Sequence, residues 1–152
     1  MFLAQAIKEK DYIKESIKSV KDYIKNCMAV RDKTEFKVNK TLIEGHLEDL
    51  KELYKKYQQF SVTIERAKAK SSIKVNDTQL TLLDAVSVRD AMYFKLRSFE
   101  DLMLRASSIN AHNEGILCVD IDELFKEIEN IKVDIKTLES EMEYAYWHIE
   151  VS

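Results

Sequence analysis

Arginine is scarce in this chain, with Arg31, Arg66, Arg89, Arg97 and Arg105 set against many lysines. A guanidinium presents a planar fork of donors that grips phosphate bidentately and stacks on flat rings, so its placement carries information that a lysine's does not. Arg66, Lys68 and Lys70 are clustered, and Arg89 precedes Tyr93 by one helical turn. If the helices bearing them run antiparallel, these groups converge near one end. Arg66, Lys70 and Arg89, with Lys68 beside them, would take phosphates, and Tyr93 or Trp147 would cover a base. The chemistry is retention of a small anionic, nucleotide-like ligand. A plainer reading of the Arg66–Lys74 cluster is compensation of a helix C-terminus.

Lys10 and Arg89 also interrupt otherwise apolar helical stripes. A charge at such a position costs stability unless it is paired. One reading pairs it with Glu9, Asp11 or Asp90 and makes it a device that sets register. The other has Arg89 facing a cavity and holding an anion.

The remaining reactive residues form no catalytic pattern. His46, His112 and His148 have no metal-ligand partner at helical spacing, so no metal or cofactor is expected, and His46 reads as a surface residue. Local sequence supplies no Ser–His or Cys–His pairing and no glycine-rich phosphate loop. The acids Glu127 and Glu129, or Glu139, Glu141 and Glu143, alternate with lysines or fall on exposed helical faces. A protein that is not an enzyme is expected. The net charge of −3 argues against a nucleic-acid partner. The opening MFLAQAIKEKD carries charge by Lys8 and reads as a helix start, and no stretch is apolar enough to span a membrane. With Cys27 and Cys118 as the only cysteines and no CxxC spacing, the expected location is cytoplasmic, or the host cytoplasm for a phage-encoded chain.

The elements that position these residues follow from what is missing. Proline is absent and glycine occurs only at Gly45 and Gly115, so long uninterrupted helices are expected in one domain spanning residues 1–152. Leu3, Ala6, Lys10, Ile13, Ile17, Val20, Ile24 and Cys27 step by three and four, a coiled-coil spacing that predicts a helix over about 3–29. The polar stretch Val30–Lys40 breaks the pattern. Thr41 and Glu44 read as a capping box opening a helix over about 42–70, with Ile43, Leu47, Leu50, Tyr54, Tyr57, Ser61, Ile64 and Lys68 as its stripe. Alternation across residues 72–80 around Asn76-Asp77 predicts a short hairpin. Thr81 with Asp84 caps a third helix, about 82–107, carrying Leu82, Ala85, Arg89, Met92, Leu96, Phe99, Met103 and Ala106. Residues 107–115 read as a loop by composition. Asp120 with Glu123 opens a fourth helix, about 120–150, where Ile121, Leu124, Ile128, Ile131, Ile135, Leu138, Met142, Ala145 and Ile149 give the cleanest heptads. The fold class is all-α: four long antiparallel helices with coiled-coil periodicity and a hairpin between the second and third.

Tyr12, Tyr23, Phe60, Tyr93, Phe94, Tyr144, Tyr146 and Trp147 fall outside these stripes and need cover from another subunit, so a homo-oligomer is expected.

Four stretches together resemble the septicolysin-like family of small helical bacterial and phage proteins, a domain of unknown function. They are Leu3-Ala4-Gln5-Ala6-Ile7, Thr81-Leu82 with Asp84-Ala85, Arg89-Asp90, and Ala145-Tyr146-Trp147-His148-Ile149-Glu150. The resemblance implies an antiparallel helical fold with a small hairpin before the third helix and a tendency to oligomerise; it implies no settled activity. Where that family tends to carry an Asn/Thr-rich stretch, this chain has Glu65-Arg66-Ala67-Lys68-Ala69-Lys70.

The functional expectation is a non-catalytic homo-oligomer that holds a small anionic, nucleotide-like ligand. Such a holder suits sequestration of a host immune nucleotide signal, a phage counter-defence role. The alternative is a structural or protein-interaction module with no small-molecule ligand.

Overall fold

The computed structural model describes residues 1–152. In chain order it contains α1 (Leu3–Asn26), α2 (Lys33–Lys70), β1 (Ser72–Val75), β2 (Thr78–Thr81), α3 (Leu82–Ala111) and α4 (Ile121–His148). Helices take 79% of the residues, and the two strands form one antiparallel hairpin between α2 and α3, so the all-α class holds. The chain divides into two compact units, Met1–Ala67 with Trp147–Ser152, and Lys68–Tyr146.

In the first unit α1 runs antiparallel to α2. Tyr23 near the end of α1 meets His46, ring centroids 4.6 Å apart, while Lys10 nearer its start lies over Tyr57 further along α2. Leu3, Ala6, Ile13, Ile17 and Ile24 are buried at the three–four spacing expected of α1. Phe2 occupies the N-cap, and its N–H donates to Gln5 Oε1 at 2.9 Å, the reciprocal half of a capping box. The segment after α4 closes this unit. Leu3 N–H donates to the Ile149 carbonyl at 2.7 Å, Val151 N–H donates to that of Met1 at 2.9 Å, and Phe2 bridges Glu150. Residues 149 and 150 are therefore extended, and α4 stops at His148 instead of reaching 150.

Two boundaries on this side differ from expectation. α1 ends at Asn26, where Cys27 N–H turns back to the carbonyls of Tyr23 and Ile24. α2 begins at Lys33, nine residues before the predicted start at 42. Its entry is organised by Asp32, whose Oδ1 accepts from Thr34 N–H at 3.0 Å and whose carbonyl accepts from Glu35 N–H at 3.2 Å. Thr41 is no cap: its hydroxyl donates to the Lys37 carbonyl at 3.0 Å, the back-bond of a mid-helix threonine. Residues 33–38 are all exposed, and a helix turn that buries nothing carries no stripe to detect.

The stripe of α2 is also rotated. Ile43, Leu50, Tyr57 and Ile64 point inward as expected, but Leu47 and Tyr54 are 40% and 52% exposed. Between the inward residues come His46, Leu53, Phe60 and Ala67, each half-buried, so Phe60 is not an outside aromatic, while His46 keeps a third of its side chain at the surface.

The second unit begins with the hairpin. Ser72 pairs Thr81, Ile73 pairs Leu80, Lys74 pairs Gln79 and Val75 pairs Thr78. Asn76 and Asp77 have φ of 47° and 65°, the left-handed pair that a two-residue turn requires and that Asx residues tolerate. Thr81 Oγ1 accepts from Asp84 N–H at 3.0 Å, capping α3 as expected. Asp120 does the same for α4, accepting from Asp122 N–H at 2.9 Å. α3 runs through the predicted loop to Ala111, because Ser107, Ser108 and Asn110 weaken a helix without breaking it and Gly115 comes only later. The core of the unit is Ile73, Leu82, Ala85 and Ala106 with Ile128, Ile131, Ile135, Leu138, Met142 and Ala145 from α4. Every α4 stripe residue is buried or half-buried, as its heptads required.

Candidate functional site

Arg66 lies in the first unit, on the side of α2 opposite its buried stripe. There Lys55, Gln58, Gln59, Val62, Thr63 and Arg66 line one open recess of about 380 Å³. Their spacing, eleven residues from Lys55 to Arg66, covers about 16 Å of helix at 1.5 Å per residue. Both charged members are cations, and the other polar members are two amides and a hydroxyl, all able to donate to an anion. Neither Lys55 nor Arg66 forms an ion pair within the chain. Sequence reading singled out Arg66 and missed Lys55, Gln58, Gln59 and Thr63. The signal was available, since these positions recur at helical spacing on the face turned from the stripe.

The other predicted site residues have different surroundings. Lys68 and Lys70 occupy the last turn of α2, where cations complement the helix C-terminus. Arg89, half-buried, reaches Asp90 at 3.7 Å, the ion pair that the register reading named. Lys10 has no such carboxylate; its ammonium lies 5.3 Å from the centre of the Tyr57 ring.

Tyr93 lies one turn beyond Arg89, and its hydroxyl donates to Glu139 Oε1 across from α3 to α4. That bond, with some burial and the charge of Glu139, raises the phenol above its ordinary range, while Arg89 pulls it down. Tyr93 lines a recess of about 420 Å³ with Leu96, Lys132, Lys136, Glu139 and Glu143 among others. Two lysines face two carboxylates there, so the recess offers an anion no net attraction. Trp147 belongs to the first unit, where the Lys8 ammonium sits 4.7 Å from its ring centre. The structure therefore brings Arg89 and Tyr93 together within one unit and gives each an acidic partner. Of the predicted residues, Arg66 is the one found in a recess lined by cations and neutral donors.

No family model matches the sequence, and no curated protein matches it. A crystal structure of a functionally unknown conserved protein from Corynebacterium diphtheriae is similar, with a TM-score of 0.82 at 18% identity, covering 100% of this chain and 99% of that one. At that identity the likeness shows the fold alone. No three His, Cys, Asp or Glu side chains gather as a metal ion would need. No helix is long and apolar enough to cross a membrane.

Proposed function

We propose that this protein is a non-catalytic binding protein that holds a small anionic, nucleotide-like ligand on the outer face of α2 and does so as a homo-oligomer. The observation that carries this reading is the recess from Lys55 to Arg66, whose charged members are cations and whose remaining polar members can all donate. Lysine and arginine one ligand-length apart would take phosphates, and Gln58, Gln59 and Thr63 would bond sugar or base edges. A single helix face covers a ligand on one side only, whereas small-molecule sites bury most of their ligand. A second copy is the natural second wall. Apolar residues turned outward on the other unit support self-association: Phe94, Phe125 and Val133 are 69%, 57% and 61% exposed. Retention without turnover fits sequestration of an immune nucleotide signal, and membership of the septicolysin-like family belongs to the same proposal.

Native mass spectrometry and calorimetry with ADP-ribose and cyclic dinucleotides test it. The expected result is a mass above that of the 17.8 kDa chain with ligand retained intact, and loss of binding in Lys55→Gln/Arg66→Gln with the helical signal unchanged. A monomer that gives no heat with any of these nucleotides overturns it.

A second reading, an interaction module without ligand, is favoured by the internal partners of Arg89 and Lys10. It predicts an assembly whose mass and melting temperature are unchanged by Arg66→Gln and by every nucleotide.

A further inference from the structure

The connection between α3 and α4 carries apolar side chains that the fold leaves uncovered. Ile116 is 96% exposed, Val119 50%, and Leu102, in the second half of α3, 55%. Leu102 and Ile116, with Ile109, Leu117 and Leu124 among others, wall a recess of about 290 Å³ within the second unit. Exposed apolar surface at a concave site marks a place where something binds. The polar side chains in the lining are Arg105 and Cys118.

Arg105 settles the sign of the ligand's head. Arg105 is the charged residue of the lining, whereas Glu114, which holds its guanidinium at 3.0 Å, is not part of it. An ammonium head would meet the guanidinium first and be repelled; a carboxylate would be gripped. Both partners of the Arg105–Glu114 pair are well exposed, at 64% and 42%, and an exposed pair of this kind contributes little, so a ligand carboxylate can take the place of Glu114. The volume lies just under the range of about 300–1,000 Å³ typical of drug-sized ligands, which suits one short hydrocarbon chain and is too small for a two-chain lipid.

We propose that this recess binds a free medium-chain carboxylate, its hydrocarbon among Leu102, Ile109, Ile116 and Leu124 and its carboxylate on Arg105. The site is separate from the α2 face, and either proposal stands if the other fails.

Calorimetry on the full chain with sodium decanoate and with decanol, both kept monomeric, tests the assignment. Decanoate is expected to bind one per chain and decanol about tenfold more weakly, the worth of one hydrogen-bonded charge. Arg105→Gln should bring decanoate down to the level of decanol and leave decanol unchanged. Leu102→Glu, at an exposed position that does not support the core, should abolish both. Arg66→Gln should change neither. Decanoate should also slow alkylation of Cys118. Equal affinity for the two probes, unchanged decanoate affinity in Arg105→Gln, or no heat with decanoate overturns the proposal.

Discussion

Lys10 and Arg89 occupy equivalent places in the stripes of α1 and α3 and are satisfied by different means. The first is covered by the Tyr57 ring and the second is matched by the neighbouring Asp90. Neither partner is legible from spacing alone: sequence offered Asp90 to Arg89, and it could not offer a ring on another helix to Lys10. Tyr93 supplies a test at this scale. Its hydroxyl donates to Glu139, and a phenolate there would face a carboxylate, so the proton is held above the ordinary phenol range. The folded state thus binds this proton more tightly than the unfolded chain. Its stabilising effect is complete below the unfolded phenol value and is lost as pH rises through the higher folded one. As pH rises above about 10 the urea midpoint of the native protein should fall further than that of Tyr93→Phe, which has no proton to lose. Equal slopes would remove the Tyr93–Glu139 bond from the account.

At the scale of the element, α2 is the instructive case. Its inward residues advance through Ile43, His46, Leu50, Leu53, Tyr57, Phe60 and Ile64, while the sequence alone is equally content with Leu47 and Tyr54. Large apolar side chains flank the shared line Ile43, Leu50, Tyr57 and Ile64 on both sides, Leu53 and Phe60 on one and Leu47 and Tyr54 on the other, so local periodicity does not choose between them. Packing against Tyr23 and Lys10 of α1 does. Leu53→Ala should therefore cost about 1–2 kcal/mol in chemical denaturation and Leu47→Ala under about 0.5 kcal/mol, since burial and not hydrophobicity sets the loss. The reverse order would restore the other register. Gly45 lies in the interior of the same helix, and a Cβ added there meets nothing within 4 Å. Gly45→Ala should raise stability by about 0.5–1 kcal/mol, seen as a higher melting temperature, because alanine gives up less backbone freedom on entering a helix.

For the molecule as a whole, the two ends of the chain are one structural feature. Leu3, fully buried, begins α1 under a hydrogen bond to Ile149, Met1 accepts from Val151, and Lys8 covers Trp147. Removing residues 147–152 deletes both hydrogen bonds and uncovers Leu3. Such a truncation should lower stability by about 2–4 kcal/mol, the sum of two backbone bonds and partial exposure of one apolar side chain, read from the far-ultraviolet circular dichroism midpoint. An unchanged midpoint would show that α1 and α2 hold the first unit without its closing strand. The sequence marked both ends as distinctive, Leu3-Ala4-Gln5-Ala6-Ile7 and Ala145 to Glu150, without saying that they meet.

Read by itself, the sequence determined the four helices, the Asn76-Asp77 hairpin, the caps at Thr81 and Asp120 and the inward face of α4. These depend on interactions within a turn or two, where residue type and spacing are sufficient. Tertiary structure decided the rotation of α2, the ring beneath Lys10 and the bridge from Phe2 to Glu150. A stripe at three–four spacing says that a helix has an inside, but the neighbour that fills the inside selects the line. Where a helix turn stays exposed, as over residues 33–38, there is no stripe to read.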